Sequence, residues 1–111
     1  MGITRIDHLY AETIHWEESL EFWEGLGFSF VEQWGSEGHR AGRMECNEAA
    51  LVLAEIEGGE PAFNVFFALA DADAATDLPG VVTPLSNTHW GSRWIRVADP
   101  DGRVHALEED S

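Results

Sequence analysis

Trp34, Trp90 and Trp94 offer flat faces on which a planar ligand can stack, and an indole face also attracts a cation. The alternative place for these three is an interface between copies of the chain. Two further tryptophans, Trp16 and Trp23, recur at helical spacing and belong to a buried stripe. His8 and Tyr10 alternate onto one face of a strand, as do Asn64 and Phe66 on another, and Asn64 can both donate and accept hydrogen bonds. Tyr10 and Phe66 also suit ordinary core packing, and His8 and Asn64 suit structural hydrogen bonding. Asp99 and Asp101 place two carboxylates close together, yet the string DPDG reads as a turn and not as an acid and base pair. Arg93 is expected to brace a strand or a nearby carboxylate, with anion binding as the alternative. Glycine-rich phosphate loops, a nucleophile elbow and zinc-finger spacing are all absent.

These residues must be positioned by short strands and one good helix. Residues 3–12 read as a strand carrying His8 and Tyr10 on one face, with Asp7 and Leu9 on the other. A helix follows, with Thr13 as its cap, Trp16, Leu20 and Trp23 as its apolar stripe, and Gly27 as its left-handed stop. Three strands are predicted at 28–34, 39–46 and 49–56. The second half repeats that order: a strand at 62–70, a couple of helical turns in DADAATDLPG, then strands at 81–85, 90–98 and 103–109. GGEP at 58–61 is the joint between modules of about 1–57 and 62–111. Each amphipathic half needs a facing partner, so the whole of 1–111 is expected to form a single domain.

Composition narrows the partners. Six basic residues, all arginine, stand against 21 acidic ones, for a formal net charge of -15. Such a field repels phosphate backbones, which argues against nucleic acid, and it would steer a cationic ligand inward. Salt adaptation or general solubility would explain the same acidity. The apolar stretches are too short for a membrane span, and the first residues lack the pattern of an export signal, so a cytoplasmic location is expected. Cys46 is the only cysteine, which excludes an internal disulfide and favours a buried small apolar role.

The segment HLYAETIHWEESLEFWEGLGF resembles the opening of the vicinal oxygen chelate superfamily, which includes glyoxalase I, extradiol dioxygenases and bleomycin-resistance proteins. THWGSRWIRVADPDGRVHALEE is similar to the superfamily's WG-x-R strand and DPDG hairpin, so the two signatures bracket nearly the whole chain. The resemblance implies an α+β fold of two βαβββ modules, here with an abbreviated second helix. It also implies a curved mixed sheet around a ligand site and a homodimer.

In metal-dependent members the ligand positions correspond to His8, Asn64 and Ala106 of this sequence. Alanine offers no donor, so no metal or other cofactor is expected, with a divalent ion as the runner-up. A shifted set of His8, Glu108 and His39 is the form that runner-up would take. His105 is adjacent to Ala106 but should face the other way. With the ligand set incomplete, the resemblance is nearest in character to bleomycin-resistance proteins, which sequester cationic antibiotics without breaking them. The expected function is therefore non-catalytic binding of a small molecule, for which the acidity favours a cationic aromatic one. His8, Tyr10, Trp34, Asn64, Phe66, Trp90 and Trp94 are the expected ligand-binding residues. A metal-dependent lyase, isomerase or dioxygenase is the alternative.

Overall fold

A computed structural model describes residues 2–75 and 77–110. The chain is α+β and divides into two compact units. The first strand, β1 (Gly2–Thr13), serves both of them: residues up to Asp7 belong with Asn64 onward, and the rest with His8–Phe63.

The unit His8–Phe63 contains the later part of β1, helix α1 (Trp16–Gly25), and strands β2 (Ser29–Trp34), β3 (Ala41–Cys46) and β4 (Ala49–Glu55), in the order β2-β3-β4-β1. β1 runs parallel to β4, with Leu9 opposite Leu51 and Ala11 opposite Leu53, while β2, β3 and β4 are antiparallel neighbours. Alternation sends Ala11, Met44, Leu51 and Leu53 to the face covered by Trp16, Leu20 and Trp23 of the helix. Thr13 is not the helix cap as expected. His15 holds that position without a side-chain bond, and Thr13 Oγ1 instead accepts from His15 N–H at 2.8 Å and bonds Ser19 Oγ at 2.6 Å. Gly27 ends the helix as predicted, at φ +108°, with Phe28 N–H returning to the Trp23 carbonyl at 3.1 Å.

Arg40 fastens this unit's loop before β3. Its guanidinium grips both carboxylate oxygens of Glu55 at 2.8 Å and lies 5.3 Å from the Trp16 ring, and Gly38 and Arg40 N–H groups add bonds to Glu55. These donors hold the Glu55 carboxyl down at about 2. A depressed folded-state value means the unfolded chain binds the proton more readily, so the clamp is fully present above the ordinary value of 4.5 and is lost as pH falls towards 2. Acid unfolding followed by circular dichroism should fall in that window, and Glu55→Gln should flatten the stability slope within it.

The other unit contains the start of β1, β5 (Phe63–Ala70), a single 3-10 turn (Ala72–Ala74), β6 (Val81–Asn87), β7 (Arg93–Ala98) and β8 (Val104–Glu109), ordered β1-β5-β8-β7-β6. β5 and β8 are parallel, with Phe66 opposite Ala106, while β7 is antiparallel to both its neighbours. The expected second helix is shorter than the couple of turns predicted. Asp71 and Asp77 take left-handed φ of 55° and 58°, which bracket it to one turn, and Arg93 ties that turn down through Asp73 at 3.0 Å and through Glu109. This bears out the bracing role expected of Arg93. Leu69, Ile95 and Leu107 fill the back of the sheet beneath Ala72. Thus each unit holds three strands after a strand and a helical element, the modular order read from the sequence.

Candidate functional site

The front of the strands in this second unit follows from the same alternation. With Leu69, Ile95 and Leu107 turned back, Phe66, Trp94, Arg96, Ala106 and Glu108 share the opposite face. Trp94 lies across the ladder from Glu108, and Arg96 from Ala106. The Phe66 and Trp94 rings are 5.9 Å apart, and Trp90 meets Trp94 edge-on at 5.1 Å. Trp90 does not lie in β7 as predicted. Gly91, at φ +95°, and bonds from Thr88 N–H and Oγ1 to the Ser92 carbonyl close a turn there, which places Trp90 at the tip between β6 and β7.

That turn folds onto a carboxylate. Glu108 Oε2 accepts from Trp90 Nε1 and from Ser92 Oγ, both at 2.7 Å, while Glu108 Oε1 has no hydrogen-bond partner among the described residues. An oxygen of Asp7 and one of Glu108 lie within 4.8 Å of each other. Glu108 beside three aromatic rings forms a surface on which a cation can be both paired and stacked. Asn64, on the adjoining strand, donates Nδ2–H to the Val104 carbonyl and leaves its buried Oδ1 without a partner. Such an orphaned acceptor suits a ligand N–H.

The seven residues expected to bind ligand are drawn from both units. Asn64, Phe66, Trp90 and Trp94 come together in one unit. His8, Tyr10 and Trp34 belong to the other, where His8 is 8% exposed, Tyr10 donates to Glu12 Oε2 at 3.0 Å, and Trp34 is 46% exposed on the outer strand β2. Burial, aided by the Glu12 carboxylate, raises the Tyr10 hydroxyl above its ordinary range. His39 is an exposed residue 3.6 Å from Glu57. Asp7 and Ser92 were not foreseen, because only the fold brings them to Glu108.

A metal set of the inherited kind does not fit Asn64 and Ala106. Ala106 presents a methyl group, which offers a metal no donor. His105 turns to the back as expected, with Nε2 3.0 Å from Asp99 Oδ2 and its ring against Phe67. DPDG is the turn predicted: Asp99 Oδ1 accepts from Asp101 and Arg103 N–H, and Gly102 takes φ +84°. His105, together with those two backbone donors, holds the Asp99 carboxyl down at about 2.

Comparison with solved structures places this architecture. Methylmalonyl-CoA epimerase from Mycobacterium tuberculosis matches at a TM-score of 0.74 over 98% of this chain and 89% of its own, at 17% identity. A glyoxalase/bleomycin resistance protein/dioxygenase superfamily member from Vibrio splendidus matches at 0.69 over 93% and 97%, at 15% identity. The fold is the vicinal oxygen chelate fold. A variant of homoprotocatechuate 2,3-dioxygenase from B. fuscum shares it, at a TM-score of 0.63 and 18% identity over 98% of this chain and 34% of its own. No family model and no curated protein matches the sequence. The vicinal oxygen chelate fold thus carries epimerase and dioxygenase chemistry in other proteins, and the residues on this chain's own face must decide what it does. Among the described residues, no helix is long and apolar enough to cross a membrane.

Proposed function

We propose that the chain binds a small cationic aromatic molecule on the face formed by Phe66, Trp90 and Trp94, without catalysing its conversion. The observation that carries this reading is Glu108. Its Oε2 is held by Trp90 and Ser92, so the carboxylate is pre-oriented while Oε1 is left to accept from a ligand. The formal net charge of -15 steers cations inward. Ala106 provides neither a metal ligand nor an acid or base at the centre of the face. Pairing as a homodimer and a cytoplasmic setting belong to the same reading, which stands closest to the bleomycin-resistance type of binding.

Calorimetric titration with benzamidine and with neutral benzamide tests it. Benzamidine should bind on the order of tenfold more tightly, since a charge-assisted hydrogen bond contributes about 1.5–3 kcal/mol. Glu108→Gln keeps an acceptor for Trp90 and Ser92 but should erase that difference, Trp94→Ala should weaken both compounds, and added salt should weaken benzamidine alone. Equal affinity for the two compounds would remove the cationic part of the proposal. Stoichiometric uptake of manganese or zinc, with turnover of an oxoacid, would replace it with the enzyme reading.

A further inference from the structure

The arginines of this chain have an abundance of carboxylates to choose from, and five of the six take one. Arg5 pairs with Asp110 at 3.0 Å, Arg40 with Glu55 at 2.8 Å, Arg43 with Glu45 at 2.9 Å, Arg93 with Asp73 at 3.0 Å and Arg103 with Asp99 at 3.0 Å. Arg96 has no carboxylate partner among the described residues. Its Nε donates to Thr83 Oγ1 at 3.2 Å, and its guanidinium stacks over Trp94 at 5.5 Å from the ring centroid. These contacts fix the plane of the group while its two terminal nitrogens remain without a described partner. In a protein with 21 acidic residues and six basic ones, a half-buried arginine left in this state lies where an outside anion can complete it.

Its position gives the chemistry. Arg96 is two residues along β7 from Trp94, and Trp94 is the ladder partner of Glu108. Strand geometry then places the Arg96 and Glu108 backbones on a ladder diagonal about 8 Å apart, with Trp94 next to each. We infer that Arg96 is an anion-binding residue of this face, and that the ligand is amphoteric: a carboxylate on the Arg96 fork, a flat body on Trp94 and a cationic group at Glu108. The cationic end rests on the function proposed above; the Arg96 end does not. A planar guanidinium takes a carboxylate through two parallel N–H bonds, which a lysine in its place would not reproduce. An amphoteric molecule of zero net charge also escapes the repulsion that so acidic a protein exerts on a simple anion.

Three probes separate the two ends: benzoate for Arg96, benzamidine for Glu108, and 4-amidinobenzoate for both. In the intact protein 4-amidinobenzoate should bind at least about tenfold more tightly than benzamidine. Arg96→Gln should abolish that advantage, taken as the ratio of the two affinities within the same variant, while Arg96→Lys should restore only part of it. Benzoate titrated into the unaltered chain should shift the Arg96 Nε–H resonance, assigned through its own side-chain carbons, so the result does not depend on a variant's stability. If the Arg96 resonance stays still while 4-amidinobenzoate binds no better than benzamidine, the inference is overturned. A moving Arg96 resonance with no benzamidine binding would sustain the anion site and defeat only the cationic reading of Glu108.

Discussion

Leu69→Ala is expected to lower the unfolding free energy by about 2–5 kcal/mol, because it empties a site that neighbouring side chains refill only in part. Leu69 is 1% exposed and packs with Ile95, Leu107 and Ala72 behind the sheet whose front carries Phe66 and Trp94. A typical domain has only about 5–15 kcal/mol in reserve, so this single truncation removes a large part of it. Urea unfolding monitored by far-ultraviolet circular dichroism measures the loss. Ile95→Val, at the same cluster but smaller by one methylene, should cost only about 0.5–1.5 kcal/mol. A small effect at Leu69 would mean that the back of the sheet repacks freely, and a front face built on such strands could not hold Glu108 and Arg96 in fixed places.

Local chemistry was legible in the sequence where one short segment decides the outcome. The alternation in ITRIDHLYAE placed β1, the stripe of Trp16, Leu20 and Trp23 placed the helix, Gly27 stopped it, and DPDG closed its hairpin. Other features depended on partners far along the chain. WGSRWIRVA has the composition of one continuous strand, yet Gly91 and the Thr88 to Ser92 bonds turn its first three residues into a hairpin tip. DADAATD has the alanines of a helix, but two left-handed aspartates confine it to one turn.

The candidate site shows the same division. Asn64, Phe66 and Trp94 were named from strand parity and ring chemistry, and the fold groups them. The sequence offers Glu108 only as a metal ligand, since nothing local shows that Trp90 and Ser92 hold one of its oxygens. The open fork of Arg96 was equally hidden. Whether an arginine finds a carboxylate is a fact about three-dimensional neighbours, and with so many acids in the sequence each of the six had equal prospects.

Gly80→Ala is the second large effect expected, and it concerns the strand pair that carries Arg96. At φ +68° Gly80 holds a conformation in which an L side chain is strained, and a Cβ built there would lie 2.2 Å from the Ala98 carbonyl oxygen. Backbone cannot swing aside as a flexible side chain can, and the Gly80 carbonyl itself accepts from Ala98 N–H at 2.8 Å. The left-handed conformation costs about 1–2 kcal/mol for a non-glycine residue, and forced overlap adds about 1–3 kcal/mol. Gly91 supplies the comparison. Its φ is +95°, but nothing lies within 4 Å of the position its Cβ would take, so Gly91→Ala should show the conformational cost alone. Thermal unfolding of the two variants separates the contributions: Gly80→Ala should be the less stable by the overlap alone. Because Val81 pairs with Val97 and Thr83 with Arg96, relief of that overlap would shift β6 against β7. Loss of the Thr83 bond to Arg96 should then appear as a displaced Arg96 Nε–H resonance in Gly80→Ala, while Gly91→Ala leaves it in place. Equal destabilisation by the two alanines, with the resonance unmoved, would show that the Ala98 carbonyl yields and that the β6 and β7 pair does not set the Arg96 fork.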